Sequence, residues 1–70
     1  MSLTLNGVAH DSSAPDLMAL WREHAAAREI AEPRGFAIAL NGAVVRRAQW
    51  AQTPLAAGDR VEIVRAFAGG

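Results

Sequence analysis

Short alternations of apolar and polar residues, closed by Asn-Gly pairs, set the pattern of this chain. Ser2-Leu3-Thr4-Leu5 alternates as a strand does, and Asn6-Gly7 follows it. Both central residues of a type I′ turn need φ > 0, which Asn and Gly tolerate, so Val8-Ala9-His10 is expected to return as the second strand of a hairpin. Asp11 to Asp16 carries turn and helix-start chemistry. Ser13 is expected to cap the first helical turn, with Pro15 at an early helical position and Asp16 complementing the positive helix end. Leu17, Leu20, Trp21, His24 and Arg28 then fall on one helical face, while Met18, Arg22 and Glu29 point elsewhere. The helix is expected to end between Glu29 and Glu32, ahead of the break at Pro33-Arg34-Gly35.

Phe36-Ala37-Ile38-Ala39-Leu40 alternates large and small apolar residues, as a strand with one large-residue face does. Asn41-Gly42 predicts a second hairpin, with Ala43 to Arg46 returning. Arg47 to Leu55 has no clean period and contains Pro54, which suggests a wrapped loop with room for a short helical turn. After the Ala57-Gly58-Asp59 turn, Arg60 to Phe67 is the last strand. Val61, Ile63 and Phe67 should face inward, with Arg60, Glu62 and Arg65 nearer solvent. The order is two strands, a helix, two strands, a loop and a strand. One amphipathic helix covers one face of a small sheet, and the first and last strands pair most simply in parallel at its centre. The expectation is an α+β, ubiquitin-like β-grasp: a mixed five-stranded sheet with one main helix. Residues 1–67 would form the domain and residues 68–70 a C-terminal tail.

Composition narrows what such a domain can do. A chain of 70 residues holds one domain, and a chain that short buries only roughly 60% of its unfolded surface. That leaves little core in which to carve a catalytic cavity. Apolar stretches fall far short of the roughly 20 residues that span a bilayer, and Met1-Ser2-Leu3-Thr4-Leu5 lacks the charged start of a leader. A cytoplasmic domain away from membranes is therefore expected. Seven acids balance seven arginines, without the basic excess of a nucleic-acid module. There is no lysine and no cysteine, so zinc-thiolate sites, disulfides and side-chain persulfides are ruled out.

Conventional catalytic groupings are also missing from the pattern. His10 and His24 lack metal-ligand spacing and are expected at the surface or on the helix face. Asp11 and Asp16 flank a helix start, where capping accounts for them. Glu62 is expected in a surface ion pair beside Arg60. Ser12 and Ser13 lack the His-Asp company of a nucleophile, and the Asn-Gly pairs are turns rather than phosphate-cradling loops. Trp21 and Trp50 suit the core or its rim. The chain is not expected to be an enzyme, nor to bind a metal or cofactor of its own.

The remaining chemistry lies at Gly69-Gly70. A carboxylate is a poor electrophile until transfer of AMP from ATP converts it to an acyl-adenylate, which a sulfur nucleophile can attack. A tail entering another protein's ATP site must pass in extended form, and glycine has no Cβ to clash. The Gly70 α-carboxyl is ionised at neutral pH, since such groups titrate at about 3.3–3.7.

The run Val45-Arg46-Arg47-Ala48-Gln49-Trp50-Ala51, then Thr53-Pro54-Leu55, Gly58-Asp59-Arg60-Val61-Glu62-Ile63-Val64 and Ala68-Gly69-Gly70, resembles the ThiS family of sulfur carriers. Leu5-Asn6-Gly7 and Ala39-Leu40-Asn41-Gly42 fit it as well, so the resemblance spans essentially the whole chain. It departs at Arg46, where the family often has proline, and at Phe67-Ala68, where a smaller aliphatic and varied polar residues are common. The resemblance implies a cycle in which an E1-like, ThiF-type enzyme adenylates Gly70 with Mg-ATP. Sulfur from a cysteine-desulfurase-type persulfide then gives a C-terminal thiocarboxylate, which donates sulfur to a ThiG-type thiazole synthase in thiamine biosynthesis. Phe67, Ala68 and Arg65, with the exposed sheet face near Arg65, are the implied partner contacts; plugging the edge of the core is the other reading of Phe67.

Three other readings stay open on sequence. A molybdopterin-synthase small subunit also ends in a Gly-Gly thiocarboxylate, although such chains tend to be longer and Arg47-x-x-Trp50 suits thiazole-type carriers better. A ubiquitin-like modifier would join its terminus to target lysines. A plain binding module would make no use of its glycines.

Overall fold

The computed structural model describes residues 1–65. The sheet is built from β1 (Ser2–Leu5), β2 (Val8–Asp11), β3 (Phe36–Leu40), β4 (Ala43–Val45) and β5 (Arg60–Arg65), in the order β2-β1-β5-β3-β4. β1 and β5 pair in parallel, and every other neighbouring pair is antiparallel. α1 (Leu17–Ala27) is the crossover element between the two hairpins, and a 3₁₀ helix (Arg47–Gln52) lies in the connection from β4 to β5. The mixed five-stranded sheet with one main helix is the β-grasp that the element order predicts. Among the described residues no helix is long and apolar enough to cross a membrane.

Both Asn-Gly pairs form the turns expected of them. Asn6 and Gly7 sit at φ 52° and 80°, and Asn41 and Gly42 at 52° and 88°. The positive φ at both central positions matches the right-handed twist of the flanking strands.

The helix start differs from expectation. Asp16, not Ser13, is the N-cap, with its Oδ1 accepting from the Ala19 N–H at 2.8 Å. The reason lies forty residues away in the chain's return path. The Leu55 N–H donates to the Pro15 carbonyl and the Leu17 N–H donates to the Thr53 carbonyl. Those bonds tie Pro15 and Asp16 to the return segment and leave Asp16 extended, so the helix begins at Leu17. Ser12 is used otherwise: its Oγ accepts from the Ala14 N–H and donates to Glu23.

The helix also ends earlier than Glu29. The Ile30 N–H bonds the Ala25 carbonyl at 2.9 Å and the Glu29 N–H reaches the Ala26 carbonyl at 3.4 Å. This is the paired closure of a Schellman motif, with Glu29 at φ 57° where glycine is usual. Ile30 is thereby turned back onto the core cluster.

The core lies between α1 and one sheet face. Leu17 and Leu20 from the helix meet Leu3, Ile38, Val61 and Ile63 from the strands, all buried. Trp50 is 1% exposed and donates its indole Nε1–H to the Val45 carbonyl at 2.9 Å. That bond explains why the short helical turn expected in this wrapped segment extends to a six-residue 3₁₀ helix. A large indole must enter the core while its polar edge finds a partner, and the tight helix delivers both. Trp21 packs at 5.8 Å from Trp50 and 4.9 Å from Phe36, so both tryptophans are core residues.

Candidate functional site

β5 is central to the sheet and leads directly to the chain's C-terminal residues. The side chains along it alternate between the two faces. Val61 and Ile63 point under the helix and are buried, while Arg60, Glu62 and Val64 lie on the open face. Arg65 follows the parity of Val61 and Ile63. It is exposed, as expected, but on the helix side of the sheet: it pairs with Phe36, and its guanidinium lies over the Phe36 ring at 4.8 Å. A cation over an aromatic face is held by the ring's quadrupole. Arg65 thus belongs to an aromatic stack with Phe36 and Trp21, not to the open face with Arg60 and Glu62. Phe67, Ala68, Gly69 and Gly70, and with them the expected extension of the strand to Phe67 and the tail at 68–70, lie outside the described residues.

The open face follows from the register. Ala37 pairs with Val64, Ala39 with both Glu62 and Val44, and Thr4 with Arg60. The small Ala37 and Ala39 side chains therefore separate two valines. Val44 is 77% exposed and Val64 51% exposed. This apolar strip is bordered by Arg60 and Glu62, which form no ion pair among the described residues, contrary to the expectation for Glu62. A concavity of about 450 Å³ opens beside it, between the Asn6-Gly7 turn and Arg60, Glu62 and Val64. Alternation of Arg60, Glu62 and Val64 with buried Val61 and Ile63 was the signal for this face in the sequence.

Elsewhere the chemistry is sparse. His24 is on the helix face as expected, but buried, and its Nδ1 has no hydrogen-bond partner among the described residues. Burial lowers its pKa, with the positive charge of Arg28 and then His10 adding to the effect. His10 lies 3.9 Å from Glu23. No group of three metal-ligating side chains assembles among the described residues. What the fold builds is an apolar face beside a strand that runs toward the terminus.

The ThiS family model matches residues 4–70. The chain belongs to the ThiS family. ThiS proteins are small sulfur carriers, and the solved structures similar to this chain include two from one organism. One is the crystal structure of a thiamine biosynthesis protein (ThiS) from Geobacter metallireducens, 27% identical over 100% of both chains with a TM-score of 0.75. The other is the NMR solution structure of a thiamine biosynthesis protein from Geobacter metallireducens. It is 29% identical over 100% of this chain and 88% of that one, with a TM-score of 0.66. A search of curated proteins gave no match. The ThiS match includes Asn6-Gly7, the Arg47 to Trp50 segment and both terminal glycines.

Proposed function

We propose that this ThiS-family chain carries sulfur for thiazole formation in thiamine biosynthesis, with the carboxyl of Gly70 as its working group. The observation that carries the reading is the family match, which runs through Gly69-Gly70. The chain has no cysteine, which fits a carrier whose sulfur resides on an acyl carbon.

The steps follow from carboxylate chemistry. A ThiF-type enzyme, using Mg-ATP bound by itself, adenylates Gly70 and releases pyrophosphate. The outer sulfur of a cysteine-desulfurase-type persulfide attacks the acyl carbon and expels AMP to give an acyl disulfide. A second thiol, itself becoming part of a disulfide with the donor cysteine, releases the thiocarboxylate. A ThiG-type thiazole synthase then takes the sulfur. The carrier acts as a co-substrate in the cytoplasm, and the partners supply the catalytic groups.

The open sheet face is the docking surface in this reading. Its exposed valines supply apolar area, and the charged Arg60 and Glu62 at the border supply orientation. Arg65, Phe67 and Ala68, which precede the terminal glycines in sequence, are further candidate partner contacts. The test is ATP–pyrophosphate exchange by a ThiF-type enzyme. Exchange should depend on the carrier and vanish with Gly70→Ala, whose added methyl obstructs the channel while the domain stays folded. Undiminished exchange with Gly70→Ala would contradict the reading.

A further inference from the structure

The two turn asparagines grip β5 from opposite flanks. On the β3 side, the Asn41 N–H donates to the Arg60 carbonyl at 2.7 Å, and its Oδ1 accepts from the Arg60 N–H at 2.8 Å. This grip is at the strand's entrance. On the β1 side, the Asn6 N–H donates to the Val61 carbonyl at 2.9 Å. Its side chain then reaches further along: Oδ1 accepts from the Ile63 N–H at 2.8 Å, and Nδ2 donates to the Ile63 carbonyl at 3.2 Å.

Asn6 therefore stands in for a strand residue that is not there. The β1–β5 pairing ends at Leu5 opposite Val61, because the chain turns away at Asn6-Gly7. The Ile63 N–H and C=O on that flank would face no main-chain partner. The Asn6 carboxamide presents an acceptor oxygen and an NH2 donor side by side and occupies that place with both. Beyond Ile63 the alternation of strand bonding directs the Arg65 N–H and C=O to the same flank, where no strand lies among the described residues. On the opposite flank β3 continues to Phe36 opposite Arg65. β5 is thus held along both edges as far as Ile63 and along one edge to Arg65. Among the described residues Asn6 is the last restraint on the β1 side of β5.

We propose that Asn6 is a positioning residue for the reactive end. Its amide fixes the direction in which the chain leaves β5, and so the presentation of the Gly70 carboxylate to the adenylating enzyme. The proposal rests on the sulfur-carrier reading. A misplacement of about 1 Å far from the reacting atoms can cost on the order of a hundredfold in rate, and the grip on Ile63 lies seven residues before Gly70 in sequence. Asn6 lines the same concavity as Val64, but its amide is engaged with Ile63, so docking of the open face should change little.

The test compares Asn6→Gly with Asn41→Gly in the full chain. Glycine accepts the positive φ of either turn, so each variant removes a side-chain amide and spares the turn. With a ThiF-type enzyme and ATP, at a temperature where circular dichroism shows both variants folded, Asn6→Gly should lower kcat for adenylation by about tenfold or more, with KM for the carrier within about twofold. Asn41→Gly should hold kcat within about twofold of the parent. Asn6→Asp keeps the acceptor for the Ile63 N–H but turns a carboxylate oxygen toward the Ile63 carbonyl, and should recover only part of the rate. Amide exchange at Ile63 should quicken in Asn6→Gly and not in Asn41→Gly. Equal kcat losses in the two glycine variants, an effect confined to KM, or unchanged Ile63 exchange would each overturn the proposal. Absence of adenylation in the unsubstituted chain is a different result: it would defeat the carrier reading itself.

Discussion

The two faces of the sheet use the same strands for opposite ends. Under the helix, Leu3, Ile38, Val61 and Ile63 are buried to a few percent exposure and lock against Leu17, Leu20 and Trp50. On the open side, the intervening positions are Thr4, Ala37, Ala39, Glu62 and Val64, small or solvated, with Val44 and Val64 left uncovered. A residue moved one position along β5 passes from one regime to the other. The covered face holds the core; the open face leaves Val44 and Val64 exposed and is expected to contribute little to stability.

Substitutions that separate stability from activity can break that comparison. The largest stability loss is expected for Trp50→Ala, which empties a site 1% exposed and abandons the Val45 carbonyl. A loss of about 3–5 kcal/mol is expected, enough to unfold much of so small a domain, as read by urea denaturation. Val64→Asp should instead cost about 1 kcal/mol or less of stability, yet lower kcat/KM for adenylation by about tenfold by placing a charge in the docking strip. If Val64→Asp were as destabilising as Trp50→Ala, the two faces would not divide the work in this way.

Smaller effects sharpen the picture on the covered side. His24 has a lowered pKa in the folded chain, from burial first and then from Arg28 and His10. Above the ordinary histidine value of 6.5 the side chain is neutral folded and unfolded alike. As pH falls below that value the unfolded chain takes the proton first, so stability declines until the lowered folded pKa is passed. Thermal melts from neutral to acidic pH should show this slope, and His24→Leu should flatten it. Asp16→Ala should cost about 1 kcal/mol through loss of the cap on Ala19. Glu29→Gly should gain up to about 1 kcal/mol, since glycine carries no penalty at φ 57°.

The strands and turns were legible because alternation and Asn-Gly pairs are local signals. The helix limits were not. Ser13 has cap chemistry, but its position is overruled by Thr53 and Leu55 bonding to Leu17 and Pro15, an interaction invisible to a local reading. The early stop came from Glu29 adopting a conformation usually reserved for glycine, with nothing in the alanine-rich stretch before it to announce the end. The 3₁₀ helix was obscured because its organising contact is an indole N–H reaching back to Val45. Arg65 could have been assigned to the helix side by counting from Val61, yet its charge suggested the open face. The ThiS motifs and the terminal glycines were legible outright. The grip of Asn6 on Ile63 was not, since it joins residues 57 apart.

The central claim is that Gly70 accepts sulfur at its carboxyl carbon. Intact-protein mass spectrometry after incubation with a ThiF-type enzyme, Mg-ATP, a persulfide source and a thiol reductant tests it most directly. The account predicts a product heavier by the exchange of one oxygen for sulfur, confined on fragmentation to the terminal residue and absent for Gly70→Ala. A chain that is adenylated but never gains sulfur, or gains it anywhere other than Gly70, would contradict the account.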